Sequence, residues 1–208
     1  MTVTETTPPA GPPAGAAPSG FALSIPPNWY EVDVHPNTRN SAINALVAQR
    51  TKAVPELFAH RSTLVRALRA AARTAYSHGA VYCGVLAEGF GSALLTGSVS
   101  VSVAEAPDGS GPVGDYLRPL PRTGENSRWR IVEQTELPHV GRVTRTRGVE
   151  DISLPDGTGW VRTAVLQTFV PIPETSRVAL ITGSSPVLPL ATEMLDLFDA
   201  ITSTFRFQ

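Results

Sequence analysis

Cysteine is almost absent from this chain, because Cys83 is the only one among 208 residues. A single thiol excludes an intramolecular disulfide and any metal site built from several cysteines. The sequence also lacks a leader of the signal-peptide type and any run of about 20 apolar residues that would span a bilayer. We therefore expect a cytoplasmic protein that is not inserted in a membrane.

Charge of either sign is not in excess. The chain carries 17 basic and 18 acidic side chains, and Lys52 is its only lysine, so the other basic residues are all arginines. Proteins that bind nucleic acid or anionic membranes usually have a surplus of positive charge. The balance therefore predicts neither partner, while the preference for arginine is typical of a GC-rich bacterial genome.

The length and the 42% of hydrophobic residues are typical of one globular domain with a packed core. Residues 1–20 differ, because they contain five prolines and three glycines, and no large apolar residue follows Val3. Such a segment has nothing to bury, so its ordering entropy is not compensated. We expect a disordered tail over 1–20 and a single domain over 21–208.

Helical spacing of apolar residues occurs in three places. Ile43, Leu46 and Val47 predict a first helix. A longer helix is predicted from Pro55 onwards, with Gly79 ending it in the left-handed conformation. Its apolar stripe consists of Leu57, Leu64, Leu68, Ala71, Ala72 and Ala75. The C-terminal helix has an apolar face made of Leu190, Met194, Leu197, Phe198 and Ile201.

Alternation with a period of two predicts strands. Between 94 and 103, valines alternate with serines, which gives one buried and one wet face, as in antiparallel sheets. Residues 105–127 are rich in glycine, proline and aspartate, which predicts a long loop. Further strands are predicted at 21–25, 29–34, 81–85, 129–137, 142–149, 160–170 and 178–182. Strands in runs with segregated helices predict an α+β fold with a mainly antiparallel sheet of about six to eight strands flanked by helices.

Three segments resemble the Mog1/PsbP-like fold group: FALSIPPNWYEV from Phe21, VLQTFVPIPETSRVALITGSSP from Val165, and EMLDLFDAITSTFRF from Glu193. They cover the first and last quarters of the chain. The resemblance implies an α/β/α sandwich with an antiparallel sheet. It also implies a binding or assembly factor more readily than an enzyme, although fold alone does not establish function.

Catalytic motifs are missing from the sequence. It contains neither Gly-x-Ser-x-Gly nor Ser-x-x-Lys, two common serine-hydrolase signatures. The segment 89–92 predicts a hairpin turn rather than a phosphate loop, because a valine-rich strand follows it. Cys83 stands in an apolar strand, where a free thiol is a small core residue. The four histidines have no metal-binding spacing, so we predict no cofactor and no metal.

Two groups of arginines are candidate partner-binding residues. The groups are Arg66, Arg69 and Arg73, and Arg142, Arg145 and Arg147. The first group forms a stripe on the outer face of the long helix. The second lies on a strand with few apolar residues, which predicts a sheet edge protected by charge. Solvated surface explains both groups; alternatively, one group binds an acidic partner, because guanidinium groups bind carboxylates in a bidentate manner.

Three tryptophans are further candidates, since Trp29, Trp129 and Trp160 each begin a predicted strand. Single tryptophans at such positions pack in the core or at its rim. If the three converge at one end of the sheet, they form a ligand cleft or a protein-binding hot spot.

The leading hypothesis is a non-catalytic, cytoplasmic protein-binding module that acts as an adaptor, a chaperone or an immunity-like factor. Its partner would be another protein, and assembly into a homo-oligomer is left open. The alternative hypothesis is a small-molecule-binding or hydrolytic α+β protein, with a site assembled from distant residues.

Overall fold

The computed structural model describes residues 17–53, 55–90, 93–106, 117–124, 127–153 and 157–208. The helices are α1 (Arg39–Ala53), α2 (Arg61–Ser77) and α3 (Ala191–Thr202), with short 3-10 helices at Pro55–His60 and Leu188–Leu190. The strands are β1 (Phe21–Ala22), β2 (Trp29–Glu31), β3 (Ala80–Phe90), β4 (Ala93–Glu105), β5 (Trp129–Leu137), β6 (Gly141–Ser153), β7 (Trp160–Pro171), β8 (Arg177–Ser185) and β9 (Arg206–Phe207).

Seven strands form one sheet in the order β2-β3-β4-β8-β7-β6-β5, and every neighbouring pair in it is antiparallel. The predicted α+β class and antiparallel sheet are therefore confirmed. The β5 strand has the predicted limits, 129–137. The β6 strand reaches Ser153 instead of ending at 149, because its last residues pair with the start of β7.

The two faces of the sheet carry separate cores. Neighbouring residues of a strand point to opposite faces, so Val85 packs towards α1 and α2 while Leu86 packs towards α3. The α1 and α2 layer covers β2 and β3, with Ile43 and Val47 buried beneath it. The sheet therefore lies between two helical layers that cover different strands.

On the other face, α3 approaches the central strands closely because glycines stand beneath it. A Cβ atom placed on Gly183 of β8 would overlap the ring of Phe198, and one on Gly97 of β4 would lie 2.8 Å from Met194 Cε. Phe198 is fully buried, and the ring of Trp29 meets it edge-on at 6.4 Å between centroids. The two glycines form a notch that receives the helix.

The short strands β1 and β9 pair antiparallel through Phe21 and Phe207. The pairing continues one step outward, where Ser19 N donates to Gln208 O at 2.9 Å and Gln208 N donates to Gly20 O at 3.0 Å. Part of the predicted tail is thus anchored by hydrogen bonds from Ser19 onwards. The rest of that prediction, residues 1–16, lies outside the described residues.

The predicted long helix is divided in two. Pro55 begins a 3-10 helix, and His60 has φ −102° and ψ 7°, which interrupts α geometry before α2 begins at Arg61. The predicted ending is confirmed, since Gly79 has φ +71°. Among the described helices none is long and apolar enough to cross a bilayer. Much of the predicted loop 105–127 falls outside the described residues, but Leu120 forms a bridge to Arg130 of β5.

We expect Gly183→Ala to lower the free energy of unfolding by about 2 to 3 kcal/mol, because the new methyl group overlaps the Phe198 ring and a packed core resists added volume. Urea denaturation monitored by circular dichroism measures the change. Gly159→Ala is the matched control, because a Cβ there has no atom within 4 Å. Equal free energies of unfolding for the two variants would contradict the close packing of Phe198 against Gly183.

Candidate functional site

Helix α2 separates its side chains cleanly into an inner apolar face and an outer basic face. Leu64, Leu68, Ala72 and Ala75 are buried against the sheet, in agreement with the predicted stripe. Arg66, Arg69 and Arg73 follow each other at three- and four-residue steps, which places them on one side of the helix. The structure thus brings the first predicted arginine group together.

A groove of about 630 Å³ runs along this outer side. Its described lining consists of Phe58, Ala59, Arg61, Ser62, Val65, Arg66, Arg69 and Arg73. Phe58 is 65% exposed, the largest exposed fraction among the large hydrophobic side chains described. The groove therefore combines an apolar surface with four guanidinium groups.

The whole helical layer is basic. Residues 39–77 contain seven cationic side chains against one carboxylate, Glu56, although the chain as a whole carries a net charge of −1. The cations are Arg39, Arg50, Lys52, Arg61, Arg66, Arg69 and Arg73. The overall balance of charge therefore conceals a strong local asymmetry, and four of these cations line the groove.

The groove arginines are not neutralised within the described part of the chain, where no carboxylate forms an ion pair with any of them. Arg69 donates from Nη2 to Asn44 Oδ1 at 3.1 Å, while its Nε is buried without a hydrogen-bond partner. Arg61, Arg66 and Arg73 are exposed.

The second arginine group does not form a surface patch, and the prediction of an edge strand was wrong. Strand β6 lies between β5 and β7 in the interior of the sheet. Arg145 is only 3% exposed; its Nη1 donates to Asp199 Oδ1 of α3 at 2.5 Å and its Nε donates to Thr168 Oγ1 at 3.2 Å. This arginine joins the sheet to a helix instead of protecting an edge.

The other two arginines of this group, Arg147 and Arg142, lie on opposite faces of the sheet. Arg147 lies 3.6 Å from the carboxylate of Asp196, one turn before Asp199 on α3. Arg142 stands opposite Glu136 of β5 and is exposed, with its side chain on the other face of the sheet from Arg145 and Arg147. The three arginines therefore do not form a common binding surface.

The tryptophans do not converge. Trp29 is a core residue with 5% exposure, as expected for a single tryptophan at such a position, so it offers no surface to a partner. It stands on β2, while Trp129 stands on β5 at the far end of the strand order, about 29 Å away across six strand spacings. Trp129 is half-buried against the core on the α3 side.

Trp160 is the exposed member of the three, at 58%. Arg162 lies over its ring, with the guanidinium carbon 5.0 Å from the ring centroid. The same guanidinium binds Asp151 through Nε and Nη2 at 2.7 and 3.0 Å, and this hydrogen bonding keeps the pKa of Asp151 below its ordinary value. Trp160 thus belongs to a local stack at the β6–β7 end of the sheet, away from the groove.

Cys83 is confirmed as a core residue, with 2% exposure on the inner face of β3. Burial raises the pKa of its thiol to about 12. A thiol held in the neutral form is a poor nucleophile. Among the residues that the structure describes, no group of three or more histidine, cysteine, aspartate or glutamate side chains is placed to hold a metal.

Sequence reasoning found three of the groove arginines and missed Arg61 and Phe58. The signal for Phe58 was its position: it follows Leu57 directly and is absent from the apolar stripe, so a helix that buries Leu57 exposes Phe58. Comparison with protein-family models gives no match, and comparison with curated proteins gives no significant match.

We expect Asp199→Asn to destabilise the protein by about 2 to 3 kcal/mol, because Arg145 then keeps a buried charge without its counter-ion. Asp199 is itself 47% exposed, which holds the loss below that of a fully buried pair. Asp196→Asn on the same helix should cost less than about 0.5 kcal/mol, as its carboxylate is 66% exposed. Urea denaturation of both variants measures the contrast, and equal losses would contradict it.

The Asp151–Arg162 pair predicts an acid-dependent loss of stability. Because the pKa of Asp151 is lowered on folding, its contribution is present above the ordinary value of 3.8 and disappears as the pH falls through the lowered pKa. The difference in urea midpoint between the native chain and Asp151→Asn should therefore stay constant down to about pH 5 and shrink as the pH falls below 3.8. A difference that does not shrink in this acidic range would contradict the assignment.

Proposed function

We propose that this chain is a protein-binding module, and that the groove on α2 binds an acidic, partly apolar segment of a partner protein. The observation that carries the proposal is the combination of Phe58, exposed beside the groove, with arginines that have no carboxylate partner in the described residues. Exposed aromatic and arginine side chains are the residue types that contribute most to protein interfaces.

The electrostatics of the groove favour an anionic ligand. Arg66, Arg69 and Arg73 are neighbours on one helix, and like charges at such spacing destabilise each other. Carboxylates of a bound segment would remove this repulsion and accept paired hydrogen bonds from the guanidinium groups. Binding would thus relieve an unfavourable interaction that the free protein contains.

The shape of the groove and the overall charge favour a protein segment over a polyanion surface. Val65 and Phe58 offer apolar contact that a phosphate backbone does not use, whereas a segment with interspersed apolar residues does. The chain as a whole is slightly negative, so an extended polyanion would meet repulsion outside the basic layer. A short acidic segment would contact the layer alone.

Two further observations support binding over catalysis. The described lining of the groove contains no carboxylate, histidine or cysteine, so it offers none of the usual acid-base groups. The Cys83 thiol lies in the core with a raised pKa. The cytoplasmic location and the likeness to the Mog1/PsbP-like group remain predictions; the latter is in keeping with a binding or assembly factor.

The test compares the native chain with the triple variant Arg66→Gln, Arg69→Gln, Arg73→Gln. A synthetic peptide that mixes aspartate and glutamate with leucine and phenylalanine serves as the probe in isothermal titration. Three exposed ion pairs contribute about 1 to 3 kcal/mol together, so the triple variant should bind roughly ten- to a hundredfold more weakly. The affinity of the native chain should fall as salt is added.

A triple variant with the same change in charge is the control: Arg142→Gln, Arg177→Gln and Arg206→Gln, all exposed and away from the groove. It should bind like the native chain. Phe58→Ser should weaken binding without loss of stability, since the side chain is exposed. Equal losses in the two triple variants, or tighter binding of duplex DNA or phosphatidylserine vesicles than of the peptide, would contradict the proposal.

A further inference from the structure

Strand β5 forms one edge of the seven-stranded sheet, and it is long for an edge strand. It has nine residues, whereas β2 at the opposite edge has three. Its register with β6 runs from Trp129 to Leu137 without a shift. Proline and a bulge are common blocks to edge pairing and are absent from β5, whose charged residues are Arg130, Glu133 and Glu136.

The backbone of β5 has hydrogen-bonding groups directed outward. Arg130 N and Arg130 O both bond to Leu120, at 2.8 and 2.9 Å, so both point away from β6. In an antiparallel strand every second residue shares this direction, which gives Val132, Gln134 and Glu136 the same orientation. Within the described residues no backbone hydrogen bond reaches their outward groups. Among the described residues, none pairs with this edge over 131–137.

We propose that this edge pairs with β5 of a second copy of the chain, antiparallel, about a two-fold axis at Gln134. Gln134 would then face Gln134 of the second copy, and Val132 would face Glu136 of the second copy on either side. Each facing pair of outward residues exchanges two backbone hydrogen bonds, about six in all. The two sheets would join into one continuous antiparallel sheet.

The neighbouring registers are unfavourable for reasons visible in the sequence. An axis at Glu133 places two glutamates directly opposite each other, which is destabilising. An axis at Thr135 places Val132 opposite Pro138, which has no N–H to donate. An axis at Val132 requires the backbone groups of Arg130, which Leu120 already uses.

Side chains in the proposed register favour a second copy as the occupant. Glu133 faces Thr135 of the second copy and Glu136 faces Val132, so no like charges stand directly opposite. Ile131, which is 45% exposed, faces Leu137 of the second copy and becomes covered. A two-fold contact of this kind closes on itself, since it uses the β5 edge of both copies.

The dimer contact and the basic groove are independent. The α1 and α2 layer packs over β2 and β3, at the other end of the strand order from β5. Both grooves would therefore stay accessible, far apart at the two ends of the joined sheet. A partner with two acidic segments could then bind both copies at once.

The test measures the mass of the full chain by sedimentation over a range of concentrations. The native chain should sediment with the mass of two chains. Gln134→Pro should sediment as one chain, because proline removes the outward donor and is tolerated on the open side of an edge strand. Glu31→Lys on β2 is the control at the opposite edge and should remain dimeric. Circular dichroism confirms that each variant is folded.

A charge swap tests the position of the axis. Gln134→Lys alone places two lysines opposite each other and Gln134→Glu alone places two glutamates there, so each variant should be a monomer. An equimolar mixture should form a mixed dimer, detected by native mass spectrometry. A native chain that stays monomeric at all concentrations, a folded Gln134→Pro that remains dimeric, or a mixture that does not associate would overturn the proposal.

Discussion

The contact between Phe198 and Gly183 sets the distance between α3 and the sheet, and the main core is arranged around it. Gly183 of β8 and Gly97 of β4 leave room for the ring and for Met194 beside it. Trp29 meets the same ring edge-on, which ties the short edge strand β2 to the helix. One aromatic side chain thus contacts two central strands, an edge strand and the interior of the core.

The position of α3 on the sheet also determines which arginines form ion pairs. Asp196 and Asp199 face the sheet from α3, and there they meet Arg147 and Arg145 of β6. These two guanidinium groups therefore form ion pairs with carboxylates of the same chain. The arginines of α2 lie on the outside of the opposite helical layer, where the described residues offer them no carboxylate. Within the described residues the chain therefore has arginines that form ion pairs with α3 and arginines on α2 that form none, and the proposed function rests on the second set.

Prediction from sequence succeeded where a local pattern sufficed. The limits of β5, the buried stripe of α2 and the left-handed Gly79 all follow from periodicity or from the conformational freedom of glycine. It failed for β6, because few apolar residues were taken as a sign of an edge strand. In the structure polar side chains of β6 have partners inside the fold, Arg145 in Asp199 and Thr146 in Gln167 at 3.4 Å, although Arg145 Nη2 is buried without a hydrogen-bond partner. The strand is therefore interior despite its composition.

By itself the sequence determined the α+β class, the helices and strands as local segments, the burial of Cys83 and the alignment of Arg66, Arg69 and Arg73 on one helix. These properties depend on residues a few positions apart, which periodicity records. Only the tertiary structure decided which strands are edges, which tryptophan is buried and which arginines are paired. Those properties depend on the order of strands in the sheet and on contacts such as Arg145–Asp199, which joins residues 54 positions apart, and no local pattern encodes such a distance.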